Sequence, residues 1–299
     1  MGSIFTNNHL LTFLVLFFWS AILTPLAVKI AERYRILDCP GGRKCHEGVI
    51  PRGGGFVVCS GFLVWALGSG ILGQNLVSVV TGAALVFFIG YLDDLSSVTP
   101  LFRLVIHMFA AMLVVRSIEV NFVLKVLFLI WIVGMTNAFN LIDGMNGLAL
   151  TLSSLTTLTA LVYRGGPWWS GLLGLCIGIL IWNFPKAYTF LGDGGSTLLG
   201  FLCSSMLLID FSFAFYVMSY DKLILCLVLL GGIPVIDTLL AICRRIWNRM
   251  SPFAPDRGHL HHFLVDKGLT QSKALLILSS FHLGLVVFGF LLMGIRAIL

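Results

Sequence analysis

Four short polar blocks interrupt a chain that is otherwise apolar, and this pattern constrains its fold more than any other feature. The blocks are Tyr91-Leu-Asp-Asp94, Asn140-Leu-Ile-Asp-Gly-Met-Asn146, Leu191-Gly-Asp-Gly-Gly-Ser-Thr197 and His259-Leu-His-His262. Of the 299 residues 58% are hydrophobic and 11% are charged, which is more apolar surface than a soluble domain can bury. Lipid must therefore be the solvent, and we predict one integral membrane domain over residues 1–299.

The apolar stretches between the blocks are long enough to form membrane-spanning helices. A hydrocarbon core of about 30 Å requires roughly 17–25 apolar residues per helix. The predicted spans are residues 9–31, 53–72, 76–92, 101–118, 122–139, 147–163, 168–184, 196–216, 222–244 and 274–297. The predicted fold class is therefore all-α, a polytopic membrane bundle of about ten transmembrane helices.

The distribution of basic residues predicts the orientation of the bundle. Of the 19 Lys and Arg residues, 14 fall at the ends of odd-numbered spans and in the loops that follow them, and 5 fall on the other side. Because basic residues are enriched in cytoplasmic loops, the N-terminus is predicted outside, and all four polar blocks face the cytoplasm. The net charge of +6 is explained by basic residues beside the membrane spans, which anionic lipid headgroups attract, and not by binding of nucleic acid.

Two of the blocks carry carboxylates that suit a divalent cation. Adjacent carboxylates such as Asp93 and Asp94 are costly near lipid unless a cation compensates them, so Mg²⁺ ligation or one ligand and one base is predicted, with a solvated helix end as the alternative. Asp193, among glycines, is a candidate Mg²⁺ ligand at a phosphate-bridging site. Ser196 or Thr197 is predicted to cap the following helix and leave its first N–H groups facing a phosphate.

The other two blocks carry amides and imidazoles. In Asn137 to Gly147, glycines allow close approach of a ligand, and amides can bind sugar or base edges. In Ser251 to His262, three histidines and Arg257 are predicted to balance charge during phosphoryl transfer, in preference to binding zinc. Asp237, inside the ninth span, is interpreted equally as a functional acid or as part of a helix break or ion pair.

Taken in order, these blocks together with Gly48-Val-Ile-Pro-Arg-Gly-Gly-Gly55 resemble the polyprenyl-phosphate N-acetylhexosamine-1-phosphate transferases (the MraY–WecA-like family). The likeness covers nearly the whole chain, and Ser-Pro-Phe-Ala-Pro-Asp-Arg-Gly-His-Leu-His-His is most similar to the bacterial undecaprenyl-phosphate GlcNAc-1-phosphate transferase branch. The resemblance implies a ten- or eleven-helix bundle in the bacterial inner membrane, a cytoplasm-facing cleft, and dependence on Mg²⁺ or Mn²⁺.

The resemblance also implies roles for individual residues. Catalytic roles are implied for Asp93, Asp94, Asp143 and His259, and metal binding for Asp193 together with Asp93 and Asp94. Substrate binding is implied for Asn140, Asn146, Asn183, Phe190 (stacked on uracil), Arg257, His261, His262, Arg103 and Arg245. Lys44 and His46, in the first cytoplasmic loop, are further candidates for contacting the donor phosphates, with a solvated loop as the alternative.

The implied reaction is attack by an oxygen of undecaprenyl phosphate on the β-phosphorus of a UDP-N-acetylhexosamine, with release of UMP. GlcNAc is the favoured sugar, and the product would initiate O-antigen or a related envelope polysaccharide. Asn146 stands where bacterial relatives usually carry Asp, so a 6-deoxy-hexosamine or MurNAc-pentapeptide donor stays open. A transporter that uses the Asp and His groups is the alternative from another class. The oligomeric state is also open, with a homodimer as one arrangement.

Overall fold

The computed structural model describes residues 8–39, 48–69, 74–251 and 258–295. Within these ranges the chain forms eleven helices and one two-stranded antiparallel hairpin. The helices are α1 (His9–Arg33), α2 (Gly54–Gly68), α3 (Gln74–Leu95), α4 (Pro100–Arg116), α5 (Phe122–Ile142), α6 (Leu148–Arg164), α7 (Pro167–Asn183), α8 (Gly192–Tyr216), α9 (Tyr220–Trp247), α10 (Leu260–Asp266) and α11 (Gln271–Leu292). The strands are β1 (Leu37–Asp38) and β2 (Ile50–Pro51).

Each of the ten predicted spans corresponds to one helix, so the all-α polytopic fold class is confirmed. By length and composition, six of the described helices can cross a membrane: α1, α3, α5, α8, α9 and α11. The apolar helices α2, α6 and α7 are shorter, at 15 to 17 residues. Two of the described helices remain: α4, with 17 residues, and α10, with 7 residues, which occupies a loop that the sequence analysis left without secondary structure.

Local sequence signals explain where several helices begin. Asn8, Thr99, Asn121 and Thr270 each accept a hydrogen bond from a backbone N–H three residues further on. Such side chains satisfy amides that have no partner within the helix. In α4 the cap is followed by Pro100, which is well suited to a first helical turn because it lacks an N–H.

Helix α8 forms the centre of the bundle and packs against α2, α3 and α5. It is the most enclosed of the six long apolar helices. Glycines allow these close contacts: a Cβ added at Gly90 would lie 2.7 Å from the carbonyl oxygen of Asp193, and one at Gly55 would lie 2.6 Å from the backbone nitrogen of Gly195. The start of α8 is thereby held directly against α2 and α3.

The hairpin brings the first loop to the same place. Leu37 pairs with Pro51 and Asp38 with Ile50. The backbone N–H of Phe190 donates to the carbonyl of Pro51 at 2.9 Å, and Gly54 donates to the carbonyl of Phe190 at 3.0 Å. These bonds fix residues 50–54 beside the segment that leads into α8.

Candidate active site

The four polar blocks lie together around one cleft, three of them at the beginning of α8 and the fourth packed on the second, so the prediction that they converge is confirmed. From the first block, the Asp94 carboxylate reaches the backbone of the third, accepting from the N–H of Asp193 at 2.9 Å. From the second block, Asn140 Nδ2 donates to Ser196 Oγ at 3.2 Å. The fourth block packs on the second, because any side chain at Gly144 would overlap the ring of His261.

The cap of α8 differs from the prediction. The helix begins at Gly192, so Ser196 and Thr197 lie inside its first turns and bond back to carbonyls four residues earlier. The cap is instead the Asp94 carboxylate, which accepts from Asp193 and also from the Gly194 N–H at 3.1 Å. The prediction that Ser196 or Thr197 leaves these amides facing a phosphate is therefore wrong. A carboxylate from α3 already occupies the positive end of the helix dipole.

Gly192 is required for this arrangement. Its φ is +69°, a conformation that glycine adopts without steric cost. A Cβ added there would lie 2.5 Å from Asp94 Oδ2. Any other residue at this position would push the Asp94 carboxylate away from the helix terminus.

Two arginines bridge pairs of carboxylates around this point. Arg103 Nη1 lies 2.5 Å from Asp93 Oδ2 and 2.6 Å from Asp193 Oδ2. Arg52 Nη1 lies 2.8 Å from Asp94 Oδ1, and the same guanidinium also pairs with the carboxylate of Asp38. We call the following set the carboxylate cluster: Asp38, Asp93, Asp94, Asp143 and Asp193, with Arg52 and Arg103.

The carboxylate cluster has five acidic groups and two guanidiniums, so its described members carry an excess of negative charge when ionised. The effect is clearest at Asp143, which follows the last residue of α5. Burial, and then the nearby Asp193 and Asp94 carboxylates, raise its pKa well above the usual range. The pKa of Arg52 is also raised, because although burial lowers it, Asp38 and Asp94 favour its charged form.

A cleft opens beside the carboxylate cluster and exposes only part of it. The lining residues are Asp38, Arg52, Asn140, Asp143, Gly144, Met145, Asn146, Asn183, Phe190, Gly192, Asp193, Ser196, His262 and Gln271. Of the acidic groups assigned from sequence, Asp143 and Asp193 line the cleft, whereas Asp93 and Asp94 lie behind it in contact with arginines and backbone amides.

Asp38, Arg52 and Gln271 line the cleft but had no site role in the sequence analysis. Asp38 is a single acid in a loop, and only the pairing of β1 with β2 brings it to the site. The signal for Arg52 was its place in Pro51-Arg52-Gly53, directly before an apolar span. No local signal pointed to Gln271, which is the first residue of α11.

The amide side chains differ in how far they are already engaged. Asn183 is buried; its Oδ1 accepts from the Gly147 N–H and its Nδ2 donates to the Thr189 carbonyl, both at 2.6 Å. Asn183 therefore joins two loops of the cleft wall. Asn146 Nδ2 donates to the Pro185 carbonyl at 3.2 Å. Asn140 and Phe190 present half-buried side chains to the cleft.

The histidine segment, His259 to His262, begins α10 and has a different character. His259 and His261 are buried with parallel rings 5.9 Å apart, and the ring of His262 lies 4.2 Å from that of His261 and lines the cleft. Neither ring nitrogen of His261 has a hydrogen-bond partner among the residues that the structure describes. Burial, and then the neighbouring His262, lower the pKa of His261 to about 3, so its ring is neutral at physiological pH.

Four further residues were given site roles from the sequence: Arg245, Lys44, His46 and Arg257. Arg245 is buried in the last turn of α9 and is absent from the described cleft lining. Lys44, His46 and Arg257 lie outside the described residues. The roles assigned to these and to the other site residues stay predictions.

The carboxylates that line the cleft determine whether a divalent cation could be held there. Within residues 8–39, 48–69, 74–251 and 258–295, no three His, Cys, Asp or Glu side chains form a ready-made metal site. Mg²⁺ does not require one, because it is commonly held by one or two carboxylates together with substrate phosphates and water. Asp143 and Asp193 supply such carboxylates to one cleft with an excess of negative charge, so the residues fit a cation that is shared with a substrate.

Comparisons with known proteins agree with this architecture. Residues 76–211 match the glycosyl transferase family 4 model. A probable undecaprenyl-phosphate N-acetylglucosaminyl 1-phosphate transferase of Bacillus subtilis is 32% identical over 280 residues, covering 86% of this chain and 77% of the relative. The undecaprenyl-phosphate alpha-N-acetylglucosaminyl 1-phosphate transferase of Thermotoga maritima is 31% identical, covering 89% and 86%, and that of Escherichia coli K12 is 28% identical, covering 88% and 78%. The chain therefore belongs to glycosyl transferase family 4.

Proposed function

We propose that this enzyme transfers N-acetylglucosamine 1-phosphate from UDP-N-acetylglucosamine to undecaprenyl phosphate. A lipid phosphate oxygen forms a bond to the β-phosphorus. The bond from that phosphorus to the oxygen shared with the α-phosphate breaks, and UMP leaves with the electron pair. The observation that carries the proposal is the convergence of all four polar blocks on one cleft at the end of a lipid-soluble bundle. The activities for which the relatives are named support the choice of transferred group and acceptor.

The proposed acceptor needs little activation. The second pKa of a phosphate monoester is about 6, by analogy with phosphoserine, so the lipid phosphate is largely ionised near neutral pH. The main barrier is then to hold two anionic phosphates together in line for displacement. The residues proposed to meet it are Asp143 and Asp193 through a shared Mg²⁺ or Mn²⁺, and Arg52 and Arg103 through direct charge.

When bound, the cation would neutralise charge on the phosphates that surround the reacting phosphorus. The cleft-lining amides of Asn140 and Asn146 are proposed to bind sugar or base edges, and Phe190 to stack on the uracil ring. His262 is proposed to contact a phosphate from the cleft wall. His259 is proposed to act on the lipid phosphate, and Arg257 and Arg245 remain candidates for phosphate binding.

The proposed setting is the bacterial inner membrane, with the cleft facing the cytoplasm and the lipid product entering O-antigen or related polysaccharide synthesis. The orientation can be tested with single cysteines in a cysteine-free background. Lys186 lies exposed at the cleft end and Lys222 lies exposed at the opposite end, at the start of α9. An impermeant maleimide should label Lys222→Cys in intact cells and Lys186→Cys only after permeabilisation. The reverse result would contradict the orientation.

The reaction is tested with purified protein, radiolabelled UDP-GlcNAc and undecaprenyl phosphate in detergent. We expect label to enter the lipid phase with stoichiometric UMP, EDTA to stop the reaction, and added Mg²⁺ or Mn²⁺ to restore it. UDP-linked 6-deoxy-hexosamine and UDP-MurNAc-pentapeptide serve as competing donors. Transfer from one of these but not from UDP-GlcNAc would overturn the donor assignment, and no transfer from any would overturn the reaction.

A further inference from the structure

Helix α9 contains a break, and Asp237, which follows it, contacts the histidine segment. Gly232 has φ 57° and ψ −144°, outside the helical region, and Pro234 follows two residues later. The N–H of Ile233, freed by the break, donates to His282 Nδ1 at 3.2 Å, and His282 Nε2 lies 2.9 Å from Thr156 Oγ1. The His282 ring thus bonds to the break through Nδ1 and to Thr156 through Nε2, and these two bonds fix the break within the fold.

Asp237, one turn beyond the break, binds the beginning of α10 at two points. Its Oδ2 lies 2.8 Å from His259 Nδ1, and its Oδ1 accepts from the Leu260 N–H at 2.9 Å. The side chain is almost fully buried, with 2% of the residue exposed. An ionised carboxylate can only accept hydrogen bonds, so the His259 nitrogen facing it must carry the proton.

The ring of His259 is restrained on a second side as well. The parallel ring of His261 lies 5.9 Å away, and His261 is itself packed on Gly144. With Nδ1 bonded to Asp237 and one ring face covered, Nε2 is the ring nitrogen that has no bond among the described contacts. Both nitrogens of His261, by contrast, are enclosed and have no partner within the described part of the chain.

We propose that Asp237 is a positioning residue that holds His259 in the Nδ1–H tautomer and presents a bare Nε2 to the lipid phosphate. The chemical part of this inference rests on the proposed function. Nε2 takes the proton that remains on part of the acceptor phosphate, and the resulting imidazolium is stabilised by the Asp237 carboxylate. A carboxylate that orients a histidine through Nδ1 is a recurrent arrangement, in which replacement of Asp by Asn favours the wrong tautomer.

A purely structural role would give Asp237 only the task of capping α10. The two roles can be separated because the two carboxylate oxygens bind different groups. Leu260 is the first residue of α10, a position that tolerates proline, and His259 has φ −67° and ψ 147°, which suits a residue before proline. Leu260→Pro therefore removes the capping bond and keeps the bond to His259. Asp237→Asn keeps an oxygen for the cap and replaces the other with an amide donor.

The experiment compares these two variants with Asp210→Asn as the matched control. Asp210 is another carboxylate inside a membrane helix, bonded to Trp169 Nε1 at 2.7 Å and roughly 25 Å along α8 from the cleft. The readouts are the ¹⁵N spectrum of His259 in lipid nanodiscs, assigned with His259→Gln, and the steady-state kinetics of UMP release.

We expect a wild-type spectrum with protonated Nδ1 and bare Nε2. Asp237→Asn should shift it toward the Nε2–H form and lower kcat with the KM for UDP-GlcNAc unchanged. Because most of the lipid phosphate is already ionised at about pH 7, the expected loss is about tenfold or less, and it grows as the pH falls toward about 6. Leu260→Pro and Asp210→Asn should keep the wild-type tautomer and most of kcat. Equal losses in Leu260→Pro and Asp237→Asn, or a wild-type tautomer in Asp237→Asn, would overturn the proposal.

Two further outcomes keep the test decisive. If Asp237→Asn does not fold, the wild-type spectrum alone overturns the proposal when it shows protonated Nε2 and bare Nδ1. If the wild-type protein releases no UMP from UDP-GlcNAc, the proposed reaction fails, while the tautomer comparison still measures the positioning by Asp237.

Discussion

The carboxylate cluster and the histidine segment face the same cleft but bury their ionisable groups in opposite ways. In the carboxylate cluster, Arg103 joins Asp93 to Asp193, and Arg52 joins Asp94 to Asp38. In the histidine segment, the His261 ring has no hydrogen-bond partner in the described ranges, and its lowered pKa keeps it neutral. Ion pairs with arginine favour the charged carboxylates on one side of the cleft, and burial removes the charge of His261 on the other.

This difference indicates a division of labour in the proposed reaction. An excess of carboxylates over guanidiniums attracts a cation, and such a site would repel the phosphates unless the cation were present. A neutral imidazole such as that of His261 brings no such repulsion, and the closely packed rings can be held in one orientation by packing and by a single acid, as Asp237 holds His259. The carboxylate cluster supplies charge, and the histidine segment supplies orientation.

Replacement of Asp193 should produce the largest effect and tests the charge side of this comparison. Asp193→Asn keeps an oxygen for Arg103 but loses the anionic ligand. We expect UMP release to fall by about 10³-fold or more, because metal-ion stabilisation is worth several kcal/mol and each 1.4 kcal/mol is about tenfold in rate. Thermal unfolding in detergent should stay at the wild-type temperature. Near-normal turnover of the purified variant would remove Asp193 from the metal role.

Replacement of Asp94 should instead reduce stability. Its side chain is only 3% exposed, caps α8 and pairs with Arg52. Removing one member of a buried pair costs about 3–5 kcal/mol, and the partial exposure of Arg52 brings the expectation for Asp94→Ala to about 3 kcal/mol. Unfolding titrations in mixed micelles measure this loss.

The matched variant for Asp94→Ala is Asp94→Asn, which keeps one acceptor oxygen and should lose less stability. Wild-type stability in Asp94→Ala would show that α8 does not depend on this carboxylate. Asp94 would then keep only the catalytic and metal-binding roles that the sequence resemblance implies.

The contrast between Asp94 and Asp193 also shows how far sequence reasoning extends. Ten helices follow from apolar length alone, because a chain in lipid must satisfy its backbone hydrogen bonds internally. Convergence of the polar blocks follows from counting spans. The motif marks Asp93, Asp94 and Asp193 together, but it does not distinguish a carboxylate that caps a helix from one that faces substrate. That distinction depends on where α8 begins, four residues before the predicted position.

Contacts between distant parts of the chain also could not be predicted from the sequence. Asp38 reaches the cleft only through the pairing of two strands of two residues each, and no periodic sequence pattern can be recognised at that length. The bond between Asp237 and His259 joins residues 22 positions apart and depends on a break in α9. Pro234 signalled that break, but the direction in which it turns Asp237 is a property of the packed bundle.

Replacement of His261 should produce the smallest effect and tests the neutral side of the comparison. Its pKa is about 3 in the folded protein against an ordinary value of 6.5. As the pH falls below 6.5, the unfolded chain binds a proton that the folded chain does not, so stability is lost on acidification. This one group should account for about 2 kcal/mol of lost stability between pH 7 and pH 5.

His261→Gln should remove that share of the pH dependence, which unfolding titrations at the two pH values would show as a flatter slope. The exposed His9, at the start of α1, provides the control for the loss of one histidine, and His9→Gln should keep the wild-type slope. If His261→Gln also keeps it, His261 carries a proton in the folded protein. The histidine segment would then be a cationic wall of the cleft, able to bind phosphate by charge, and the division between a charged and a neutral side of the cleft would no longer hold.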